Sequence, residues 1–224
     1  MKSSRLLPLA LLVAGALTTA SIAFAQTASK PAVAATRTTQ GTPSQLVFAN
    51  SSRILATLEA RRREFTRSRG ALRAFVSSEF RQMWDRDYSA RLVLGRHGRG
   101  AADADIKLFA DALADNLMDR YGGSLLGFNT QLRVRMKSET ALRNGAIVKV
   151  SSELLRSGGE PIPVDYLMRR VRNQWKVFDV LVEGVSFVQT FRSQFDSELT
   201  RKSIRQVAAD LRTGQLQADA KTGR

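Results

Sequence analysis

A single histidine, His97, and the absence of cysteine restrict the chemistry that this 224-residue chain can perform. A serine–histidine–aspartate triad would have to use His97, which lies in Gly95-Arg96-His97-Gly98-Arg99 without a neighbouring nucleophile motif. The two counts exclude thiol catalysis, disulfide bonds and cysteine-based zinc sites, and the sequence has no phosphate-binding loop, dinucleotide motif or calcium loop. We predict a flexible, solvated basic loop at His97, and no catalytic residue, metal site or cofactor.

Two aspartates, Asp165 and Asp179, interrupt predicted apolar strands and are the best candidates for acid–base chemistry. A carboxylate in an apolar cup can have a raised pKa and act as a general base. The alternative is a structural aspartate that is hydrogen-bonded or paired with an arginine of a neighbouring strand, such as Arg169 or Arg170. Because buried charges are usually paired, the structural role is favoured.

The first 25 residues have the three parts of a secretory signal. Lys2 and Arg5 precede a hydrophobic run from Leu6 to about Ala20, which is followed by Ala23-Phe24-Ala25. The run is shorter than the roughly 20 residues that cross a bilayer core, so a signal peptide is favoured over a membrane anchor. We predict a signal peptide at residues 1–25 and export of the remaining chain.

The chain is strongly basic, with 35 Lys and Arg against 20 Asp and Glu and a net charge of +15. Loss of a signal peptide containing Lys2 and Arg5 lowers this charge by two, to +13. A basic protein attracts nucleic acid, anionic membranes or acidic proteins, and export argues against nucleic acid. An anionic lipid surface or an acidic protein remains.

Composition divides the exported chain into three parts. Residues 26–43 are mostly Ala, Thr, Ser, Gln and Pro, which predicts a flexible leader. Residues 44–213 carry the apolar periodicity of one folded domain, and residues 214–224 are polar and predicted to be frayed.

Apolar residues at a spacing of three and four predict four helices in the first half of the domain. They are a helix capped by Ser44 and ending at Arg61-Arg62-Arg63, a second over Leu72 to Trp84, a short third over Tyr88 to Gly95, and a fourth capped by Asp103 and ended by Gly122-Gly123.

After Gly127 the apolar period changes to two, which predicts an antiparallel sheet of about four strands joined by hairpins. The strands are an alternating segment from Leu132 to Lys137, then Ala146 to Leu155, Pro161 to Val171 and Trp175 to Val182. A helical period returns from Ser186 to Leu211. The fold class is therefore α+β, with several helices covering a curved antiparallel sheet.

The last two predicted strands carry apolar residues at both odd and even positions. Since these positions point to opposite faces, both faces of the sheet are expected to be dry. The helices could cover one face and wrap around the other. The functional alternative is a cone between sheet and helices that is open to an apolar ligand.

Six segments resemble the Mla-type periplasmic phospholipid-binding proteins, also called the toluene-tolerance or ABC-transporter auxiliary family. The resemblance covers about Gln45 to Leu211, with Phe178 and Phe191 where the family often has Tyr, and Gly98 where it often has a bulky aromatic residue. The segments are Arg91-Leu92-Val93-Leu94-Gly95, Phe109 to Tyr121, Val164-Asp165-Tyr166, Trp175-Lys176-Val177-Phe178-Asp179-Val180, Val182-Glu183-Gly184-Val185-Ser186 and Phe191-Arg192-Ser193-Gln194-Phe195.

The resemblance implies a periplasmic carrier of NTF2-like fold that holds the tails of a phospholipid, with two acyl chains, between sheet and helices. It implies transient contact with an inner-membrane ABC transporter complex and an outer-membrane lipoprotein complex, in a system that maintains outer-membrane lipid asymmetry. It implies no cofactor and no catalysis.

Periodicity and resemblance together predict the residues that contact the lipid, while Arg91, Arg96 and Arg99 are candidates for a phosphate or an acidic docking surface. The alternative functions are an NTF2-like enzyme with Asp165 or Asp179 as general base, and a secreted adaptor that binds protein or nucleic acid through its basic face. The predicted lipid contacts are Phe75, Phe109, Leu113, Leu117, Val134, Val148, Val164, Tyr166, Met168, Val180, Phe187 and Phe191.

Overall fold

The computed structural model describes residues 41–122, 126, 132–156 and 158–220. The predicted signal peptide and most of the predicted leader lie outside the described residues. The described part contains seven α-helices and one five-stranded sheet, which confirms the α+β class. The helices are α1 (Pro43–Ala60), α2 (Arg62–Arg67), α3 (Arg69–Met83), α4 (Arg86–Leu94), α5 (Asp103–Tyr121), α6 (Phe187–Arg201) and α7 (Ile204–Thr213).

Two predicted helix caps are wrong because neighbouring residues take the role. Thr42 caps α1: its hydroxyl accepts a hydrogen bond from the Gln45 amide, and the Gln45 side chain accepts one from the Thr42 amide. The amide of Ser44 instead donates to Glu139 of the first strand, over 2.9 Å. Asp103 is the first residue of α5, and Ala102 occupies the cap position without a side-chain bond.

The sheet has the strand order β1-β2-β3-β4-β5, and every neighbouring pair is antiparallel. The four predicted strands are present, and a two-residue fifth strand follows the tight turn at Glu183 and Gly184, both of which have positive φ. The strands are β1 (Arg133–Leu142), β2 (Ile147–Leu155), β3 (Ile162–Val171), β4 (Gln174–Val182) and β5 (Val185–Ser186).

One face of the sheet is buried and the other is mixed. The prediction of two dry faces is wrong for β3, whereas β4 is buried at four consecutive positions, 177–180. Ile162, Val164, Tyr166 and Met168 of β3 are buried at alternate positions. The opposite face carries ion pairs such as Lys149 with Asp165 and Arg135 with Glu153, which long side chains can make while their apolar stems cover the strands.

The helices form a layer on the buried face. Helix α1 packs on β1 and β2, while α4 and α6 pack on β4. Helix α5 packs on α4 and α7 and belongs to the outer part of the layer. The link between α3 and α4 is fixed to β4, because the amide of Asp85 donates to the carbonyl of Val177 over 2.7 Å.

The tail predicted to be frayed is packed as far as Ala220. Asn116 of α5 donates to the carbonyls of Leu211 and Leu216, at 2.7 and 3.1 Å, and accepts from the amide of Ala218 at 2.9 Å. Ala218 and Ala220 are buried. The polar composition of this tail did not reveal that the buried side chain of Asn116 makes hydrogen bonds with its backbone groups. We call residues 215–220 the C-terminal strap.

Candidate functional site

A cavity of about 360 Å³ lies between α3 and α5. Its walls are mainly apolar, with charged residues among them, and Arg212 of α7 and Ala220 of the strap complete it. The volume is near the lower end of the range of about 300–1,000 Å³ for ligand pockets. The lining residues are Val76, Ser77, Phe80, Arg81, Arg86, Asp111, Ala114, Asp115, Leu117, Met118, Tyr121, Gly122, Arg212 and Ala220.

A second cavity, of about 60 Å³, adjoins the first and extends to α4 and α6. Phe80, Arg86, Ala114 and Leu117 line both cavities. The additional lining residues of the smaller cavity are Trp84, Ser89, Ala90, Val93, Ala110, Leu113, Phe187, Val188 and Phe191.

The space follows from which side chains face each other across the helices. Phe80 of α3 stacks on Trp84, with ring centroids 4.9 Å apart, and so turns along its own helix. Ala114 of α5 lines the same two cavities, and its methyl side chain is too small to fill the space. At the end of α5, Gly122 leaves room for Met118, since a Cβ there would come within 2.4 Å of the Met118 methyl carbon.

Arg86 is held at the junction of the two cavities by the residue before it. The Asp85 side chain accepts from the amide of Tyr88, over 3.3 Å, and pairs with Arg169 of β3, over 2.6 Å. Ser89, one turn further along α4, donates to the carbonyl of Phe178 over 2.7 Å. These bonds tie α4 to the sheet and direct Arg86 towards α5.

The two carboxylates of the larger cavity are both engaged by cations. Asp111 contacts Arg86 and Lys107, and Asp115 contacts Arg73. Partial burial acts to raise the pKa of Asp111, but the hydrogen bond from Lys107 and the charge of Arg86 outweigh it and hold the pKa below its usual value. Asp111 therefore stays ionised.

The C-terminal strap closes one side of the larger cavity through Tyr121. The Tyr121 hydroxyl donates to Asp219, over 2.9 Å, and accepts from the amide of Ala220, over 3.0 Å. Burial raises the pKa of Tyr121, so the hydroxyl stays protonated and able to donate. Gln194 of α6 binds the strap from the other side, through the carbonyl of Gln217 and the amide of Asp219.

Four of the predicted lipid contacts line these cavities, and eight do not. Leu117 lines both cavities, while Leu113, Phe187 and Phe191 line the smaller one. The others lie in the core or at its margin and are not among the lining residues; they are Phe75, Phe109, Val134, Val148, Val164, Tyr166, Met168 and Val180.

Neither candidate acid–base residue lies in a cavity wall. Asp165 is on the mixed face of the sheet, and its partner is Lys149, at 3.8 Å, rather than Arg169 or Arg170. Asp179 is buried, which raises its pKa, but one oxygen accepts from Ser186 at 2.6 Å and the other from the amide of Val188 at 3.1 Å. Asp179 thus fixes the start of α6.

The basic segment around His97 is a short 3-10 helix, Gly95–Gly98, rather than a flexible loop. His97 Nε2 lies 2.9 Å from a carboxylate oxygen of Asp196 in α6, and Arg96 donates to the other oxygen over 2.9 Å. Arg91 pairs with Asp103, whereas Arg99 is exposed. The contacts of Arg96 and His97 with Asp196 explain why this segment is a helix, although its glycines predicted a flexible loop.

Within the described residues, no group of three or more His, Cys, Asp or Glu side chains forms a potential metal site. In that same part of the chain, none of the helices combines the length and the hydropathy needed to span a bilayer.

The family model of the MlaC protein matches residues 49–213. The chain belongs to the MlaC family. This confirms the resemblance read from the sequence. The C-terminal strap follows the last residue of the match, so Ala220 is a part of the cavity wall beyond the MlaC-family segment.

Two individual proteins add to the comparison. The toluene tolerance protein ttg2D of Pseudomonas putida is 24% identical over 161 residues, which are 71% of this chain and 74% of the relative. A phospholipid-binding protein from Ralstonia solanacearum, solved in complex with a phospholipid, matches with a TM-score of 0.64 and 22% identity, over 72% of this chain and 91% of that one. At this identity the structural likeness shows the fold.

Sequence reasoning missed Phe80, Met118 and Arg86 as residues of the cavities. Phe80 was visible as part of the apolar stripe of α3, and Met118 lies beside the stripe of α5. Nothing in the sequence around Arg86 distinguishes it from the other arginines of this basic chain.

Proposed function

We propose that this MlaC-family protein is a phospholipid carrier without catalytic activity, and that it acts in the periplasm between an inner-membrane ABC transporter complex and an outer-membrane lipoprotein complex. The observation that carries the proposal is the pair of adjoining cavities, whose walls are mainly apolar and whose larger member has charged residues at its margin. Such a site fits an amphiphile. The family match and the phospholipid bound to the Ralstonia protein support the same ligand class.

The energetics explain why lipid movement needs a protein. Each buried methylene contributes about 0.8 kcal/mol, so two chains of roughly 15 carbons carry on the order of 20 kcal/mol of transfer free energy. Unaided passage through water is therefore very slow. A cavity at the helix junction replaces this step with transfer between two apolar environments.

The charge of the exported chain has a separate role in the proposal. A net charge of +13 after loss of the predicted signal peptide speeds encounter with anionic membranes or acidic partners and adds little to tail binding. Docking partners, the NTF2-like description of the fold and the number of acyl chains stay predictions.

The enzyme alternative has weaker support. Asp179 has the raised pKa expected of a general base, but both of its carboxylate oxygens accept hydrogen bonds from α6 and the residue before it. Asp165 is paired and lies on the mixed face. Neither residue lines either cavity.

The decisive experiment is purification of the exported protein under gentle conditions, followed by native mass spectrometry and lipid extraction. We expect co-purified phospholipid and an intact mass that lacks residues 1–25. A folded wild-type protein that neither retains nor takes up phospholipid contradicts the carrier, and retention of the first 25 residues contradicts export.

Substitution then locates the tails. Leu113→Asp and Met118→Asp place a charge in the smaller and larger cavity, and we expect at least one folded variant to lose most of its lipid, because an unpaired buried charge costs several kcal/mol. Leu142→Asp, at a leucine that is 37% exposed, is the matched control. Lipid loss in the control alone, or loss of turnover of a small substrate in Asp165→Asn or Asp179→Asn, favours the alternatives.

A further inference from the structure

Arg86 has a buried hydrogen-bond donor that the protein does not use. Its terminal nitrogen Nη2 binds Asp111, but its Nε is buried and has no hydrogen-bond partner in the part of the chain that the structure describes. Buried donors on charged groups are nearly always satisfied, because leaving one unpaired is costly. This Nε belongs to a residue that lines both cavities.

Two further arginines border the larger cavity. Arg81, in the last turn of α3, and Arg212, in the last turn of α7, both line it. Among the described residues, neither has a hydrogen bond or an ion pair. The carboxylates of the same wall do not neutralise them, because Asp111 is engaged by Arg86 and Lys107 and Asp115 by Arg73. The cavity therefore has an excess of positive charge at its margin.

The last turn of a helix favours a cation in any protein, which accounts for exposed arginines at these two positions. Arg86 has no such explanation, because it is the first residue of α4 and is held there by the bonds of Asp85 and Ser89. The unpaired Nε of Arg86 is therefore the main evidence for a ligand. Arg81 and Arg212 supply additional charge.

We propose that Arg86, with Arg81 and Arg212, binds a phosphate group at the margin of the larger cavity, and that the group is the phosphodiester of the bound lipid. This inference rests on the proposed function. The Nε–H of Arg86 donates to a phosphate oxygen, while Nη2 stays on Asp111. A planar guanidinium suits this task, because it stays charged and holds Nε–H in a fixed direction while Nη2 binds Asp111.

The proposal assigns an orientation and a specificity to the carrier. The phosphate stays at the arginines while the tails enter between Phe80 and Leu117. Recognition then depends on the phosphodiester rather than on the group beyond it. A lipid with the same tails and no phosphate binds less tightly.

The test uses the full exported chain after removal of lipid and compares uptake of a phosphatidylglycerol with uptake of a diacylglycerol of the same chains. We expect the wild type to prefer the phospholipid. Arg86→Gln should lower phospholipid affinity about tenfold or more and diacylglycerol affinity by a much smaller factor, as expected for loss of a hydrogen bond to a charged group. Arg86→Lys should restore part of the loss, and Arg63→Gln, at an exposed arginine of α2, should have no effect.

The double variant Arg81→Gln/Arg212→Gln keeps the test valid if Arg86→Gln does not fold, because both residues are exposed. It should reduce the preference for phospholipid by a smaller factor. If neither Arg86→Gln nor the double variant changes the preference, or if Arg86→Gln weakens both lipids equally while the double variant changes nothing, Arg86 acts as a structural link to Asp111 and the phosphate site is overturned.

The remaining outcomes separate the two proposals and the two sources of phosphate. Wild-type protein that takes up neither lipid contradicts the carrier function, whereas equal uptake of both contradicts only the assignment of the phosphate to the lipid headgroup. Inorganic phosphate is tested on lipid-free protein by thermal unfolding. If it stabilises the wild type but not Arg86→Gln, and phospholipid is not preferred over diacylglycerol, the site belongs to free phosphate and the headgroup assignment is overturned.

Discussion

The junction of α3 and α5 and the buried face of β3 are built from the same kinds of side chain, yet they differ in packing. Between the helices, Phe80, Leu117 and Met118 surround a space of about 360 Å³. On the sheet, Val164, Tyr166 and Met168 have no solvent-accessible surface at all. Apolar composition therefore marks what is buried, and the size of the facing residue decides whether space remains for a ligand.

The two regions should respond differently to the same truncation. Phe109→Ala, at a fully buried ring packed edge-on against Phe195, should lower the free energy of unfolding by about 3–5 kcal/mol. Phe80→Ala, at a half-buried ring on the cavity wall, should cost roughly half of that or less, because fewer close contacts are lost. Urea denaturation monitored by circular dichroism measures both, and equal costs would show that the junction is as tightly packed as the core.

Enlarging an alanine tests the same difference in the opposite direction. Ala112 is fully buried and Ala114 borders both cavities, two residues apart on α5. Ala112→Leu should destabilise by about 1–3 kcal/mol through overpacking. Ala114→Leu should leave stability nearly unchanged and reduce bound lipid, since the new side chain fills the cavity. If Ala112→Leu is as stable as the wild type, or if Ala114→Leu binds as much lipid as the wild type, the core and the cavity do not differ in packing as described.

The C-terminal strap contributes Ala220 to the wall of the larger cavity and is held in place by Asn116 of α5. Asn116→Ala removes three hydrogen bonds to Leu211, Leu216 and Ala218, and should cost about 1–3 kcal/mol because buried backbone groups lose their partners. Truncation after Gly214 should accelerate lipid release, measured by transfer to acceptor vesicles. Asn173→Ala, at an exposed turn, is the control, and an unchanged release rate after truncation would mean that the strap closes nothing.

The smallest expected effects are two pH dependences of opposite sign. Neighbouring cations hold the pKa of Asp111 low, so its contribution to stability is present above the unfolded-state pKa and is lost as the pH falls through the folded-state pKa. Burial raises the pKa of Asp179, so its contribution is present below the unfolded-state pKa and is lost as the pH rises through the folded-state pKa.

Asparagine variants test this sign directly. Relative to the wild type, Asp111→Asn should become less stable as the pH rises from acid to neutral, and Asp179→Asn should become more stable over the same range. Thermal unfolding at a series of pH values measures both. If the stability of both variants relative to the wild type changes in the same direction with pH, one of the two carboxylates is in a different environment from the one described.

The elements were predictable because their signals are local. Apolar segments between turn residues placed β2 and β3 within one residue of their observed starts, and a short apolar cluster placed α4 within two residues. The same local signals led to the wrong prediction that both faces of β3 are dry. A strand's own sequence does not reveal that Lys149 and Asp165 pair across its outer face.

The cavities were not predictable, since they depend on contacts between distant segments. The sequence identified Leu113, Leu117, Phe187 and Phe191 as candidates. It did not show that Ala114 leaves space beside Leu117 or that Gly122 makes room for Met118. The hydrogen bonds that hold the C-terminal strap are made by Asn116, whose partners lie about 100 residues away in the sequence. Hydrogen bonds of that range have no signature in local periodicity.

In the proposed carrier, the lipid tails enter the helix junction and not the space beside β3. The direct measurement is photo-crosslinking with a phospholipid that carries a diazirine near the end of one acyl chain, followed by peptide mapping. We expect adducts on α3 and α5, at or near Phe80, Leu117 and Met118. Adducts concentrated on Val164, Tyr166 or Met168 would contradict it and place the tails between the sheet and the helices.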